Sequence, residues 1–194
     1  GQVLPEARLG FDRVMPGDRI VLSGPLGEHG LAVMSQRKGL RFSGELLSDC
    51  GPIDRLAVDL VEKLGPAVRF MRDPTRGGLA ATLAELSAAA GVDLEVEEAR
   101  IPTNRTVRAA AEMLGLDVLT VANEGKLVAV VAPEHADEAV MLLREHEISR
   151  KAAVIGTVAH RAGADAPALV EMITTVGGRR VVQMPYGAEL PRIC

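Results

Sequence analysis

Short apolar runs recur along the whole chain, and most of them are followed by a segment with helical periodicity. A short apolar run that ends at Gly or Pro is typical of a strand buried in a sheet. Such runs predict strands over residues 19–23, 67–71, 92–96, 126–131, 152–158, 169–174 and 180–182. The periodic segments predict helices over residues 28–38, 54–64, 79–90, 103–114 and 133–145. The chain is therefore expected to combine a sheet with several helices.

The helix predicted at 79–90 shows its pattern most clearly. Its apolar residues Leu79, Leu83, Leu86 and Ala90 fall on one face. Gly91 then ends the helix, and residues 92–96 alternate strictly between apolar and polar, as in a half-exposed strand. Because helices and strands do not alternate regularly and several strand pairs read as antiparallel, we predict an α/β (α+β) fold, a two-layer sandwich of a mixed sheet and helices.

The length of 194 residues suits one domain with a tail. We place the domain at residues 1–181. Residues 182–194 read as a flexible arm, because Pro185, Gly187 and Pro191 interrupt regular structure there.

The arm ends in Cys194, a soft nucleophile at a point that can move freely. A thiol on such an arm could visit a site that a fixed side chain cannot reach; alternatively, it has no functional consequence. A prenylation signal is excluded, because that motif needs its cysteine four residues from the end. The other cysteine, Cys50, is expected to be a small buried apolar residue without chemistry.

Composition argues against several classes of function. With four aromatic residues and a net charge of −4, the chain offers neither a stacking surface nor a basic patch for nucleic acid. No apolar stretch reaches the ~18 residues of a membrane span, and no signal peptide is visible. Two cysteines make no disulfide framework, so the reducing cytoplasm is the expected compartment. The four histidines show no ligand spacing, so no metal site is predicted.

The first candidate site directly precedes the clearest helix. Asp73 and Thr75 can accept hydrogen bonds from the free amides at the helix start. Gly77 and Gly78 allow a ligand to approach the backbone, and Arg76 offers a planar cation suited to phosphate. A helix N-terminus with free amides is a ready anion site. The alternative is an ordinary cap and turn.

Two other segments could carry chemistry. Residues 23–30 lie between a strand and a helix, and include the titratable Glu28 and His29. Residues 123–126 precede an apolar strand, and Glu124 among them could act as a positioned base. Each segment could equally be a structural turn.

Four segments, taken together in their order along the chain, point to a family more specifically than any one of them does alone. They are residues 23–30, 73–80, 122–126 and the terminal 191–194. Together they resemble the HypE family of hydrogenase maturation factors, the carbamoyl dehydratases of the nickel–iron hydrogenase pathway, within the wider superfamily of aminoimidazole ribonucleotide synthetase and selenophosphate synthetase. The resemblance runs over essentially the whole chain. One departure is Glu28, where the family is expected to have Asp more often.

The resemblance implies a larger protein than this chain. HypE-like proteins have an N-terminal ATP-binding domain that also forms the homodimer, then a C-terminal α/β domain and a mobile tail. Residues 1–181 and 182–194 correspond to the last two parts. ATP with Mg would be bound mostly by the N-terminal domain, whose metal-chelating aspartates and catalytic lysine have no counterpart here.

The resemblance also implies a mechanism. The carbamoyltransferase HypF would load a carbamoyl group onto Cys194, and ATP-dependent dehydration would convert it to a thiocyanate. Glu124 would be the base, residues 73–78 would face the phosphate side of ATP, and His29 would be a further contact. The HypC–HypD complex would accept the cyanide, and this chain alone would be inactive. Alternatives are a non-catalytic interaction or regulatory domain, or half of another ATP-dependent synthetase of the superfamily.

Overall fold

A computed structural model describes residues 3–40, 42, 44, 46–161, 163 and 166–184, and these form a mixed sheet of seven strands. The strands are β1 (Arg19–Leu22), β2 (Val68–Arg72), β3 (Asp93–Glu97), β4 (Val128–Val131), β5 (Ala153–Ala159), β6 (Val170–Ile173) and β7 (Arg179–Val181). Their order in the sheet is β2-β4-β1-β5-β3-β6-β7. Neighbours are antiparallel except for the parallel pair β3 and β6. The predicted α/β fold with a mixed sheet is confirmed.

All of the predicted helices are present. They are α1 (Glu28–Lys38), α2 (Asp54–Leu64), α3 (Gly78–Ala90), α4 (Arg105–Leu114) and α5 (Ala136–Arg144). The fourth begins two residues later than predicted, because Thr103 is extended and forms a β-bridge with Leu26. The fifth is preceded by a 3-10 turn at Pro133–His135, so the predicted helix begins in tighter geometry.

Helices cover both faces of the sheet at its β2-β4-β1 end. In β1, Ile20 and Leu22 belong to the cluster that contains α3, whereas Val21 belongs to the cluster that contains α2 and α5. All four residues of β4 are buried. A strand covered on both faces is apolar at every position, which explains the continuous apolar run in the sequence.

A third apolar cluster joins α1 to α4 beyond the end of the sheet. Leu31 and Met34 of α1 pack with Val107 and Ala110 of α4 and with Val121. This packing brings the first residues of the two helices side by side, next to the segments predicted as functional.

The opposite edge of the sheet is exposed. Every residue of β7 is exposed, but the following Val182 is buried and donates a backbone hydrogen bond to the Val170 carbonyl. The predicted arm therefore begins at a residue that packs against the sheet. Cys194 lies outside the described residues. In the described part of the chain, no helix combines the length and apolar character needed to cross a bilayer.

Candidate functional site

The sheet topology brings the three predicted segments together. Strands β1 and β2 both run antiparallel to β4. The carboxyl ends of β1 and β2 therefore lie where β4 begins. Residues 23–30 follow β1, residues 73–78 follow β2, and residues 123–126 precede β4. Segments distant in sequence thus meet at one edge of the sheet.

The buried side chain of Asn123 ties the three segments to one another. Its Oδ1 accepts a hydrogen bond from the Gly27 amide at 2.8 Å. Its Nδ2 donates to the Pro74 carbonyl at 3.1 Å and to the Val121 carbonyl at 2.9 Å. These partners fix the orientation of the amide, because the oxygen faces a donor and the nitrogen faces two acceptors.

The helix start at α3 differs from the prediction. Its N-cap is Gly77, with φ at 72°, and no side chain caps the helix. The predicted capping by Asp73 and Thr75 is therefore wrong, since the left-handed Gly77 turns the chain into the helix by itself. Thr75 instead accepts a hydrogen bond from the Gly78 amide through its carbonyl. Arg76 is exposed to solvent.

Gly78 is required by the packing of the chain. With φ at +60°, a Cβ at this residue would lie 2.4 Å from the Leu119 carbonyl oxygen and 2.6 Å from that of Val121. The close approach at Gly78 is thus made by the protein's own backbone. What remains available to an anion is the uncapped start of α3 and the exposed Arg76.

His29 presents a free ring nitrogen. Its Nδ1 lies 2.8 Å from Ser48 Oγ, and that oxygen also accepts a hydrogen bond from the Cys50 amide at 3.1 Å. The Ser48 hydroxyl thus holds the ring through Nδ1. Nε2 is buried and has no partner among the described residues. It is a polar atom whose hydrogen bond a ligand could complete.

Glu124 carries a buried, unpartnered oxygen. The side chain is half-buried, and its Oε1 has no hydrogen-bond partner in the described part of the chain. The backbone amide of Glu124 is held by Asp49, whose Oδ1 accepts its hydrogen at 3.3 Å. An unsatisfied buried acceptor costs about 1–3 kcal/mol, so a carboxylate in this state is a group prepared for a ligand or a proton.

Lys126, two residues after Glu124, is almost completely buried. Its side chain is 2% exposed, and Nζ lies 2.9 Å from Asp49 Oδ2 and 3.2 Å from Glu28 Oε2. A buried cation thus joins two segments that carry carboxylates, one at the start of α1 and one in the segment before α2.

Comparison with known proteins identifies the family of this chain. Residues 15–166 match the model of the family described as AIR synthase related protein, C-terminal domain. The chain belongs to this family.

Individual relatives of this AIR synthase related domain are more specific. A carbamoyl dehydratase HypE from Rhizobium leguminosarum bv. viciae is 47% identical over 183 residues, covering 94% of this chain and 51% of the relative. A crystal structure of the hydrogenase maturation protein HypE in complex with ATP matches with a TM-score of 0.93 and 40% identity, over 100% of this chain and 58% of that one.

A crystal structure of a HypE–HypF complex matches with a TM-score of 0.86 and 38% identity, over 93% of this chain and 57% of that one. The resemblance to HypE is confirmed. The chain spans about half the length of the curated relatives it matches.

Two parts of the site in this AIR synthase related domain were missed by the sequence analysis. One is the segment 48–51, and the other is Lys126. The available signal was a lysine at the head of an otherwise apolar strand, where solvent is excluded. Cys50, expected to be buried, is exposed, because its segment lies on the site and is not part of the core.

Proposed function

We propose that this chain is the C-terminal domain and tail of a HypE-type carbamoyl dehydratase, with residues 1–181 as the domain and 182–194 as the tail. The rest of the protein would be an N-terminal ATP-binding domain that also forms the homodimer. The proposal is supported by the identity to named HypE proteins and by the half-length coverage of them.

The observation that carries the proposal is the orphaned Glu124 Oε1 at the meeting point of three segments. Dehydration of a carboxamide to a nitrile removes two protons from nitrogen, so the reaction needs a base. The side chain of Glu124 is half-buried, its backbone amide is held by Asp49, and its Oε1 has no partner among the described residues, which suits that role. Glu124 is the base in this proposal.

The reaction converts a thiocarbamate on Cys194 to a thiocyanate. The carboxamide oxygen takes the terminal phosphoryl group, so that a P–O bond forms and the bond to ADP breaks. The C–O bond then breaks as phosphate leaves, and the nitrogen loses its two protons, the first of them to Glu124. A carboxamide oxygen is a poor leaving group, and its phosphate ester is a good one. The net products are thiocyanate, ADP, phosphate and a proton.

The residues present fit the phosphate side of ATP, which supplies the phosphoryl group when bound. The uncapped start of α3 and the side chain of Arg76 would hold phosphate oxygens. His29 Nε2 offers a buried polar atom that has no partner among the described residues. By the resemblance to HypE, Mg would be bound mostly by the N-terminal domain, and we assign it no step here.

The proposed partners follow from the same relatives. A HypE–HypF complex exists among the similar structures; by analogy, HypF would load the carbamoyl group onto Cys194. The HypC–HypD complex would then accept the cyanide for the iron of the hydrogenase.

Mass spectrometry of the intact protein tests this function. The full-length protein carrying this chain is loaded by HypF, separated from it and given ATP. We expect an added carbamoyl group, followed by loss of the mass of one water. Cys194→Ala should take up no carbamoyl group, whereas the matched Cys50→Ala should behave like the wild type.

Glu124→Gln should accept the carbamoyl group but dehydrate it about 100-fold more slowly or worse. An adduct that persists in Cys194→Ala, or dehydration unchanged in Glu124→Gln, would contradict the proposal. A wild type without any adduct would favour an interaction or regulatory domain. ATP turnover without a thiol adduct would favour another synthetase of the superfamily. The isolated chain should not hydrolyse ATP.

A further inference from the structure

We infer that Lys126 is a positioning residue: it clamps the segment 48–51 against the site and thereby fixes the backbone of Glu124 and the ring of His29. The effect on catalysis rests on the proposed function, whereas the clamp itself does not. Lys126 is assigned no contact with the substrate.

Burial supports a positioning role. The side chains of Lys126 and Asp49 are 2% and 1% exposed, and their charged atoms lie 2.9 Å apart. A buried ammonium group is stable only when its charge is compensated. The carboxylates of Asp49 and Glu28 compensate the charge of Lys126, so that charge is used within the protein and not on a substrate.

The surrounding backbone is shaped around this ion pair. A Cβ at Gly24 would lie 3.2 Å from Lys126 Cε, so the glycine leaves space for the lysine stem. A Cβ at Gly125 would lie 1.8 Å from the Asp49 carbonyl oxygen. The segment that carries Asp49 therefore packs directly against the chain between Glu124 and Lys126.

The carboxylate of Asp49 connects the clamp to the proposed base. One of its oxygens faces Lys126 Nζ, and the other accepts the amide hydrogen of Glu124. The preceding Ser48 holds the ring of His29 through Nδ1. The segment thus contacts His29 and Glu124, each of which has a buried polar atom without a hydrogen-bond partner among the described residues.

Little else of regular structure holds this segment. The residues from 46 to 53 form no helix or strand. On the other side, Glu28 is itself fixed, because its Oε1 accepts a hydrogen bond from Asn104 Nδ2. Asn104 Oδ1 in turn accepts one from Lys151 Nζ at 2.8 Å. The clamp is therefore anchored to α1 and α4 and holds the irregular segment.

Hydrogen exchange of the full-length protein tests the clamp without any turnover. In Lys126→Met, we expect faster exchange in peptides covering residues 46–52 and 121–125, with unchanged exchange in β3 and β5. The matched control is Lys151→Met, which removes an exposed lysine at the far end of the same network. It should leave exchange in residues 46–52 unchanged.

Steady-state kinetics test the catalytic consequence. Lys126→Met should lower kcat for dehydration about ten- to hundredfold, because a displaced base is misaligned with its proton. KM for ATP should stay within about twofold, because no substrate contact is lost. The double variant Lys126→Gln/Asp49→Asn keeps a neutral hydrogen bond at the same place and should recover part of both losses.

Several results would overturn the inference. Unchanged exchange in folded Lys126→Met would exclude the clamp, and a raised KM for ATP with unchanged kcat would show that Lys126 contacts the nucleotide. If Lys126→Met does not fold, exchange and kinetics are measured on the double variant instead. If neither variant folds, Lys126 has a role in folding alone and the inference is wrong. A wild type without dehydratase activity would refute the proposed function, whereas the exchange result would still test the clamp.

Discussion

Two cations in this protein each lie between two carboxylates at nearly the same distances. Lys126 Nζ is 2.9 Å from Asp49 and 3.2 Å from Glu28. An Arg179 nitrogen is 2.7 Å from Glu95 and 3.2 Å from Glu171. The lysine side chain is 2% exposed and lies at the candidate site, whereas the arginine side chain is 53% exposed and lies on the edge strand β7.

The difference shows that the distance between charges does not decide what an ion pair contributes. In water, the attraction is screened and offset by the entropy of ordering two long side chains. In the interior, removal of one partner leaves the other charge without compensation. The buried triad is therefore essential where the exposed one is dispensable, and four measurements can test this contrast.

The largest effect is expected for Lys126→Met. The methionine keeps most of the apolar stem but leaves Asp49 without a counter-charge, which for a buried pair costs about 3–5 kcal/mol. Urea unfolding of wild type and variant measures the free energy of unfolding. A loss below about 1 kcal/mol would place this triad in the same class as the exposed one.

A smaller effect is expected for Gly125→Ala, which changes no charge. The new Cβ would lie 1.8 Å from the Asp49 carbonyl oxygen, so the segment must move. Overpacking of this kind costs about 1–3 kcal/mol. The matched control is Gly163→Ala, where the nearest atom would lie 4.0 Å away. Equal unfolding midpoints for the two variants would show that the buried ion pair does not depend on this close packing.

Another acid, Asp18, is as deeply buried as Asp49 but lies farther from its cation. It is 2% exposed and its cation, Arg69, is 3.8 Å away. Burial raises the pKa of Asp18 above 3.8, although the Met15 amide and Arg69 oppose the shift. At pH values between 3.8 and the raised pKa, the folded state then binds more protons than the unfolded state. The contribution of Asp18 to stability therefore falls as pH rises through that window.

Asp18→Asn removes this titration. We compare the free energies of unfolding of the wild type and of Asp18→Asn. The wild-type value minus the variant value should decrease as pH rises above about 4. Chemical unfolding of both proteins at a series of pH values measures the difference. A difference that increases over the same range would mean that Arg69 outweighs burial, as it would in a well-formed buried pair.

The smallest effect is expected for Arg179→Gln. The hydrogen bond and charge of Glu95 raise the pKa of Arg179, but the group is charged at any ordinary pH with or without that shift. The unfolding midpoint should not change measurably, and added salt should not alter this result. A clear destabilisation that salt removes would contradict the contrast between the two triads.

The sequence predicted the elements well because their signals are local. Periodic apolar positions and the glycine that ends α3 act within a few residues along the chain. The start of α4 was placed two residues early, because the bridge between Leu26 and Thr103 joins segments far apart in the chain.

The candidate site was predicted only in its parts. The three segments were named separately, and nothing local to them shows that Asn123 connects Gly27 to Pro74. The segment 48–51 has no pattern of its own, because its conformation follows from the buried Lys126 and from the backbone packing at Gly125. Interactions between distant segments decide these features, and such interactions leave no local pattern in a single sequence.

The order of strands in the sheet has a consequence for synthesis of the protein. Strand β1 comes early in the chain but lies between β4 and β5, and Ser23 at its end bonds to Leu127, 104 residues later. At about 5–20 residues per second, a ribosome needs roughly 5–20 s to make that stretch. Until then β1 lacks both of its neighbouring strands, β4 and β5, and its unpaired edges are open to pairing with other chains.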